Sequence, residues 1–379
     1  MDDAHAKKRL DLAARLALRA EGRVEPNPLV GCVLEKDGQL IGMGHHRVWG
    51  GPHAERDALA NARARGNDPK GSTAYVTLEP CCHHGKQPPC TDALVEAGVA
   101  KVVYAVADPG EESGNGAAVL RDAGIEAVHC DVSCDALAVG APFLHRLATG
   151  LPWVIAKWAQ TIDGRIATRT GESQWISGPR SRRRVHQRRA KVDVILTGIG
   201  TVLADDPMLT ARDVRVRRVA RRVVIDAGLE TPLESKLVQT AREVPTAIAC
   251  AKDLVTAGIT ERRVEALEAA GVTVMGVPEN PEHPGRLRLD MLMRALVDRF
   301  DTATVFVEAG AGLLGALFEA DLVCESVVYL APTLMGDERA LPAATGRVAT
   351  KLSDARRFKL GRVKRVGDDV ELVYRSTRV

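Results

Sequence analysis

Two short stretches, GGPHAERDAL at residues 50–59 and LEPCCHHGKQPPC at residues 78–90, decide the fold of the first part of this chain. Pro52 stands just before a helical pattern, so we expect His53 and Glu55 in the first turn of a helix. Residues two positions apart do not share a helical face. The imidazole can therefore bind a metal ion while the carboxylate reaches a water molecule beside it.

The outer cysteines of the second stretch complete a metal site. Cys81 and Cys90 enclose a loop rich in glycine and proline, which can fold both thiolates back onto the ion that His53 binds. One imidazole and two thiolates leave the fourth tetrahedral position of a zinc ion open, as is typical of a catalytic site. We therefore predict that His53, Cys81 and Cys90 hold zinc and that Glu55 moves protons. This is the signature of zinc deaminases of nucleobases, although their cysteines are usually only two residues apart.

A second interpretation of the same loop stays open, in which the zinc is purely structural. Cys82, His83 or His84 would then supply the fourth ligand and close the shell. We expect instead that Cys82 points away from Cys81 and that the two histidines line a pocket.

The flanking sequence predicts a layered α/β domain. Asp37-Gly38 marks a hairpin between two apolar runs. Beyond it, helical patterns alternate with short strand-like runs. The helical patterns are at 54–64, 91–97 and 116–123, and the strand-like runs are at 74–78, 102–106 and 125–129.

A change of pattern near residue 150 predicts a second domain, because Gly150-Leu151-Pro152 forms a turn and a new strand starts at Trp153. We place the domains at 1–148 and 149–379. The second domain again alternates strands and helices, and 278–286 is predicted to be a surface loop. Its further strands are expected at 192–197, 222–226, 246–250, 272–277, 304–308 and 326–330.

Composition argues against several classes of partner. Aromatic residues make up only 3% of the chain and the net charge is +3, so neither base stacking nor a basic surface indicates nucleic acid binding. No stretch has the length of a membrane span, and the charged N-terminus is typical of an amphipathic helix rather than a signal peptide. The eight cysteines are too scattered for a secreted disulfide scaffold. We predict a cytoplasmic protein without nucleic acid or membrane partners.

The motifs together resemble those of the bifunctional deaminase-reductases of riboflavin biosynthesis. PNPLVGCV at 26–33, HAE at 53–55 and the long inter-cysteine loop with His-His-Gly and Pro-Pro-Cys are similar to the deaminase part. The reductase part is matched by KWAQTIDGRIAT at 157–168, GESQWISG at 171–178, TGIGTVLADDPMLTAR at 197–212, VVIDAGL at 223–229 and VEAGAGLLGALFEADLV at 307–323.

The resemblance implies a cytidine-deaminase-like αβα layer domain followed by a dihydrofolate-reductase-like α/β domain. The first would deaminate a diaminohydroxy-phosphoribosylaminopyrimidine with zinc, and the second would reduce the ribosyl group to ribityl with NADPH, in an expected homo-oligomer. The implied substrate contacts are Asn27, His46, Ser173, Arg189, Leu209, Arg212 and Glu308. The implied cofactor contacts are Ala159, Trp175, Thr201, Asp205, Gly310, Ala311, Gly312, Leu313, Leu314, Gly315 and Ala316.

Physical reasoning supports some of these positions. The turn 310–315 joins a strand to a helix, so its backbone amides can face a pyrophosphate. Asp205 and Asp206 either bind hydroxyl groups or simply end a helix. The roles of Lys157 and Asp163 stay open.

Arginines crowd 180–189 and 212–222, and most such runs are solvated faces. Arg189 and Arg212 are the exceptions that we expect to bind phosphate groups. The sequence departs from the family at Ala227, where a hydroxyl is common, and in the loop 108–112.

Two other functions remain alternatives. One is a nucleic-acid or nucleoside zinc deaminase with an accessory domain, because such deaminases share the zinc signature. The other is a non-enzymatic zinc-stabilised scaffold, which would not need Glu55. The second domain argues against the first alternative, because it lacks interleaved basic and aromatic residues and its glycine-rich turns are suited to phosphates.

Overall fold

The computed structural model describes residues 2–110, 113–256, 260–346 and 350–377. The chain forms two units, Met1–Gly150 and Leu151–Val379. Within the described residues, every helix is too short or too polar to cross a membrane.

The first unit has five strands in one sheet, in the order β2-β1-β3-β4-β5. β1 is antiparallel to both neighbours, while β3, β4 and β5 are parallel. The strands are β1 (Gly31–Lys36), β2 (Gln39–His45), β3 (Thr73–Val76), β4 (Lys101–Tyr104) and β5 (Glu126–His129). The helices are α1 (Asp3–Ala17), α2 (Ala54–Ala64), α3 (Cys90–Glu96), α4 (Gly116–Asp122) and α5 (Cys134–Thr149), with a 3-10 turn at Leu18–Ala20.

Helices cover both faces of this sheet because its strands alternate buried side chains between two cores. Cys32 and Leu34 pack with α2, α3 and α4 on one face. Tyr75 and Val103 pack with α1 and α5 on the other. The αβα layer prediction is confirmed.

Helix α2 lies unusually close to β2, and this contact fixes the helix that begins after His53. A Cβ atom on Gly44 would stand 2.2 Å from the backbone nitrogen of Ala58, and one on Gly42 would stand 2.6 Å from the carbonyl oxygen of the same residue. No side chain fits at either position, since real Cβ atoms do not approach backbone so closely.

The second unit is built on a nine-stranded sheet in the order β11-β10-β9-β8-β14-β6-β15-β18-β17. Its strands are β6 (Trp153–Gln160), β8 (Val194–Gly198), β9 (Arg221–Ile225), β10 (Thr246–Ala251), β11 (Val272–Val277), β14 (Thr304–Glu308), β15 (Glu325–Leu330), β17 (Phe358–Val366) and β18 (Asp369–Ser376). Two small ladders pair β7 (Arg165–Ala167) with β16 (Leu341–Pro342) and β12 (Glu279–Asn280) with β13 (His283–Leu287). The helices are α6 (Pro179–Arg189), α7 (Ile199–Asp205), α8 (Lys236–Gln239), α9 (Lys252–Thr256), α10 (Glu261–Ala269), α11 (Leu289–Phe300) and α12 (Ala311–Glu319), and a 3-10 turn spans Leu352–Asp354.

In this sheet, β11, β10, β9, β8, β14, β6 and β15 run parallel to one another. β18 is antiparallel to β15, and β17 is antiparallel to β18. Leucines of α11 and α12 pack with Val194, Val223 and Val305 in the main core. This α/β architecture agrees with the predicted class of the second domain.

Two sequence expectations for this unit were wrong in part. The segment 278–286 lies at the surface as predicted, but it contains the strands of a small hairpin rather than only loop. Arg222 is not solvated but fully buried, where its guanidinium donates to the hydroxyl of Thr246 at 2.6 Å and to the carbonyl of Leu237 at 3.0 Å.

Candidate functional site

Three potential metal ligands of the first unit lie together. The ligand atoms of His53, Cys81 and Cys90 are all within 4.8 Å of one another. His53 Nδ1 is 3.3 Å from the sulfur of Cys90 and 3.5 Å from that of Cys81. Two thiols and an imidazole are the donor set that zinc prefers, so the residues fit this metal.

Three different elements bring these ligands together. His53 is the N-terminal cap of α2, Cys81 lies on the loop after β3, and Cys90 is the first residue of α3. The carbonyl of Cys81 accepts hydrogen bonds from the backbone nitrogens of Cys90 at 3.1 Å and Thr91 at 3.2 Å. The long loop is therefore closed on itself at its two cysteines.

Arg56 holds the same loop from helix α2. Its guanidinium donates to the carbonyls of Pro88 at 3.3 Å and Pro89 at 2.9 Å. Cys82 instead directs its sulfur to the carbonyl of Gly114 at 2.8 Å. The expectation that Cys82 points away from the other ligands agrees with this contact.

Glu55 is buried in the first turn of α2, and its Oε2 accepts a hydrogen bond from the Cys90 thiol at 3.3 Å. Burial is the main influence that raises the pKa of Glu55, and the nearby charge of Cys81 is the second. The neighbouring Cys90 side chain, and then the ring of His53, lower the pKa of Cys81 to about 4. This lowered pKa favours the thiolate form of Cys81, which is the form that binds metals.

A cavity of about 320 Å³ opens beside these residues, and its volume lies in the range of small-molecule sites. Asn27, His46 and His83 line it as expected, whereas the exposed His84 is not among its lining residues. His46 Nδ1 donates to the carbonyl of Pro52 at 3.0 Å, so Nε2 can accept from the amide of Asn27 at 3.4 Å. Burial lowers the pKa of His46, which agrees with this neutral form.

Sequence reasoning missed several residues of this cavity. Trp49 and Lys86 lie at its wall, with the Lys86 ammonium 3.0 Å from the centroid of the Trp49 ring. Glu79 also lines it, but its carboxylate accepts from the backbone nitrogens of Asp108 and Ala117 at 3.1 and 2.8 Å. Glu79 and Lys86 lie within the 78–90 stretch and Trp49 directly precedes the 50–59 stretch, and the basic Lys86 in the predicted loop was the available signal.

Asp108 borders the cavity at the loop that departs from the family pattern. Its Oδ1 accepts from the backbone nitrogen of Gly110 at 2.9 Å. Glu111 and Glu112 of that loop lie outside the described residues.

In the second unit, two residues implied as substrate contacts bind each other. Arg189 at the end of α6 forms a two-point ion pair with Glu308, with Nε to Oε1 at 2.5 Å and Nη2 to Oε2 at 3.0 Å. Lys157 adds a contact to Oε2 at 3.4 Å. Burial alone would raise the pKa of Glu308, but Arg189 and then Lys157 outweigh burial and lower it to about 2.

The other implied substrate residues have mixed environments. The carbonyl of Thr210 accepts from Arg189 Nη1 at 3.1 Å, and the buried Leu209 is the residue before Thr210. Arg212 is exposed, and its backbone nitrogen bonds to the ring of His186 at 3.2 Å. Ser173 is half-buried.

Two glycine-containing turns precede helices at the implied cofactor side. Gly310 caps α12 after β14, and Gly198 caps α7 after β8. The hydroxyl of Thr197 donates to the Glu308 carbonyl at 2.7 Å and so ties the two strand ends together. Among the described residues, and apart from each glycine's chain neighbours and its own helix backbone, no heavy atom lies within 4 Å of a Cβ built on Gly310, Gly312 or Gly200. A Cβ on Gly315 would instead collide with the carbonyl oxygen of Thr345 at 1.7 Å.

The implied cofactor residues lie on several elements of the second unit. Thr201 and Asp205 lie on α7, Ala159 lies on β6, and residues 311–316 form the start of α12. Trp175 is 68% exposed, with the guanidinium of Arg182 4.6 Å above its ring.

The structure gives the contacts of three residues whose roles the sequence left open. Asp163 accepts from the backbone nitrogens of Met335 and Gly336 at 3.1 and 2.8 Å, so it ties two loops together. Asp206 caps the end of α7 and accepts from the backbone nitrogen of Lys236 at 2.8 Å. Of the two alternatives for Asp206, the helix stop matches its position. Ala227 accepts at its carbonyl from Ala251 at 3.0 Å.

Comparison with known proteins identifies both units. Residues 152–372 match the model of the RibD C-terminal domain, and residues 4–106 match the cytidine and deoxycytidylate deaminase zinc-binding region. The riboflavin biosynthesis protein RibD of Escherichia coli strain K12 is 41% identical over 362 residues, which are 94% of this chain and 96% of that protein. The RibD of Actinobacillus pleuropneumoniae is 39% identical over 365 residues, with 96% and 93% covered.

Solved structures show the same two-part architecture. RibD of Acinetobacter baumannii superposes with a TM-score of 0.81 at 34% identity, covering 99% of this chain and 100% of that one. A diaminohydroxyphosphoribosylaminopyrimidine deaminase/5-amino-6-(5-phosphoribosylamino)uracil reductase of Thermotoga maritima gives a TM-score of 0.83 at 30% identity, with 99% and 100% covered. This chain therefore belongs to the RibD family of riboflavin biosynthesis proteins.

Proposed function

We propose that this chain catalyses two consecutive steps of riboflavin biosynthesis. The first unit removes an amino group from a diaminohydroxy-phosphoribosylaminopyrimidine by hydrolysis with zinc, and the second reduces the ribosyl group of the product to ribityl with NADPH. The observation that carries the first step is that the ligand atoms of His53, Cys81 and Cys90 lie within 4.8 Å of one another beside a buried Glu55.

In the deaminase unit, Glu55 is the proton carrier. His53, Cys81 and Cys90 would hold a zinc ion, which would supply Lewis-acid activation of a water molecule. The raised pKa of Glu55 suits a carboxylate that must accept a proton and then release it to the departing ammonia. Asn27 and the neutral His46 provide an amide and an imidazole that hold the pyrimidine ring.

The cavity supports a phosphorylated substrate of small size. Lys86 is the one Lys or Arg among the described residues that line it, and it lies next to an aromatic ring. An ammonium group at a cavity wall attracts a phosphate as a point charge. A free ribotide fits these features better than a nucleic acid strand, for which the chain lacks basic and aromatic side chains in alternation.

In the reductase unit, the Arg189–Glu308 pair presents a fixed carboxylate and guanidinium to the substrate. NADPH would supply the hydride when bound, and the backbone amides that begin α7 and α12 would be the groups that bind its phosphates. Glu308 stays ionised at neutral pH because of Arg189 and Lys157. It therefore accepts hydrogen bonds from hydroxyl groups of the ribosyl chain, while Ser173, Leu209 and Arg212 border the same substrate.

The setting that we propose is a cytoplasmic homo-oligomer without nucleic acid or membrane partners. The edge strand β17 supports self-association, because Leu360 and Val363 on it are 55% and 57% exposed. These two side chains stand among Lys359, Arg362, Lys364 and Arg365, so a second copy would cover the apolar pair rather than extend the sheet edge to edge. Sedimentation velocity at micromolar concentration should show a species larger than one chain of 40.7 kDa, and a single monomeric species would contradict this proposal.

Replacing one cysteine at a time distinguishes the zinc ligands. Cys81→Ser should lose most of the bound zinc and all deamination, because a hydroxyl does not replace the thiolate as a ligand. Cys82→Ser is the matched control and should keep one zinc ion per chain, since the sulfur of Cys82 contacts Gly114 instead. Metal analysis of the purified variants measures this. Zinc loss in Cys82→Ser would favour the closed structural site.

Glu55→Gln should bind zinc normally yet deaminate at least about a hundredfold more slowly, because the amide cannot carry the proton. The assay is ammonia release from the pyrimidine ribotide, followed by NADPH oxidation monitored by absorbance. Reduction of supplied deaminated product should proceed at the wild-type rate. Loss of zinc from Glu55→Gln would show that this residue binds the metal. If the wild-type enzyme releases ammonia but does not then oxidise NADPH, the second activity is refuted.

Arg189→Lys should raise the KM of the reductase for the deaminated ribotide about tenfold or more, since lysine cannot reproduce the two-point pair with Glu308. Arg183→Lys is the matched control, because Arg183 is an exposed arginine on the same helix. Steady-state kinetics at saturating NADPH measure both variants. Equal KM values for Arg189→Lys and the wild type would remove Arg189 from the substrate site.

A further inference from the structure

Helix α6 carries Arg189 to the proposed substrate site, yet little apolar surface holds this helix on the sheet. Six of its eleven residues are arginines, and only Ser181 and Val185 are buried. A helix normally packs through a broad apolar stripe. Polar contacts must therefore fix the position of α6.

Strand β18 supplies two carboxylates that make these contacts. Asp369 Oδ2 accepts from the backbone nitrogen of Gly178, the cap of α6, at 2.8 Å. Glu371 accepts from Arg184 of α6 at two points, from Nε at 2.6 Å and from Nη2 at 2.9 Å. Because residues two apart on a strand face the same side, both acids point at the helix. They hold its first two turns.

Glu371 is fully buried and fully bonded. Beyond Arg184, it accepts from Arg362 Nη2 at 2.7 Å and from the Tyr329 hydroxyl at 3.0 Å. Burial opposes its ionisation, but Arg184 and the other arginines around it lower its pKa to about 2. Removing one partner of such a pair leaves the other charge without compensation, which is strongly unfavourable.

A change at this anchor reaches the substrate site through the helix itself. Arg184 and Arg189 are five residues apart, which is about 7.5 Å along a helix axis. A hydrogen-bonded helix moves as a rigid element, so displacement of Arg184 also displaces Arg189 from Glu308. The C-terminal hairpin itself supplies none of the residues implied as substrate or cofactor contacts.

We propose that Asp369 and Glu371 are positioning residues of the reductase: strand β18 holds α6 in the place where Arg189 and Glu308 together meet the ribotide. This inference rests on the substrate placement proposed above.

The test is Glu371→Gln in the full-length chain. Its KM for the deaminated ribotide should rise about tenfold, while kcat per folded protein, KM for NADPH and the rate of deamination stay within about threefold of the wild type. A merely structural role would lower the melting temperature and the active fraction, and hence kcat, but leave KM unchanged. Asp290→Asn, which removes the exposed Arg288–Asp290 pair on α11, is the matched control.

Arg184→Lys gives a second measurement, since it keeps the charge and loses the two-point geometry. It decides the question by the same KM criterion if Glu371→Gln does not fold. A wild-type KM in the folded variants, or a fall in kcat alone, overturns the proposal. If Arg189→Lys also has a wild-type KM, the substrate placement fails rather than the anchor.

Discussion

The direction of parallel strands governs both candidate sites, because such strands deliver the chain to one edge of a sheet and helices begin there. After β3 the chain enters the loop of Cys81 and reaches α3 at Cys90. After β14 it passes Glu308 and enters α12 at the turn of Gly310. Helix starts expose unpaired backbone amides, and polar side chains can stand at the loops that follow the strand ends. Each unit therefore gathers its chemistry at the edge where the strands end.

The zinc site could be predicted from the sequence because its geometry is local. His53 and Glu55 are separated by two residues at a helix start, and a single closed loop joins Cys81 to Cys90. Trp49 and Lys86 were not predicted, since their contact depends on how two irregular loops meet. The family fold and the chemistry were confirmed by the comparisons, while the role of each site residue stays a prediction.

In the reductase unit, the sequence pattern did not predict which residues the arginines contact. The arginine run 180–189 was predicted to be mostly a solvated face with Arg189 as an exception, yet Arg184 also pairs with a carboxylate from a distant strand. Glu371 lies 187 residues after Arg184, in a C-terminal hairpin that sequence periodicity did not predict. Charge runs reveal their partners only when topology brings the opposite charges together.

The two sites use opposite electrostatic settings to reach their protonation states. In the deaminase unit, burial and a neighbouring thiolate raise the pKa of Glu55, so its carboxylate readily takes up a proton. In the reductase unit, arginines lower the pKa of Glu308 and Glu371 to about 2, so both stay charged. Their folded-state pKa lies below the ordinary value of 4.5, so their stabilisation is complete above that value and is lost as pH falls toward 2. A carboxylate that must exchange protons and carboxylates that must hold a helix thus require separate environments, which two cores in one chain provide.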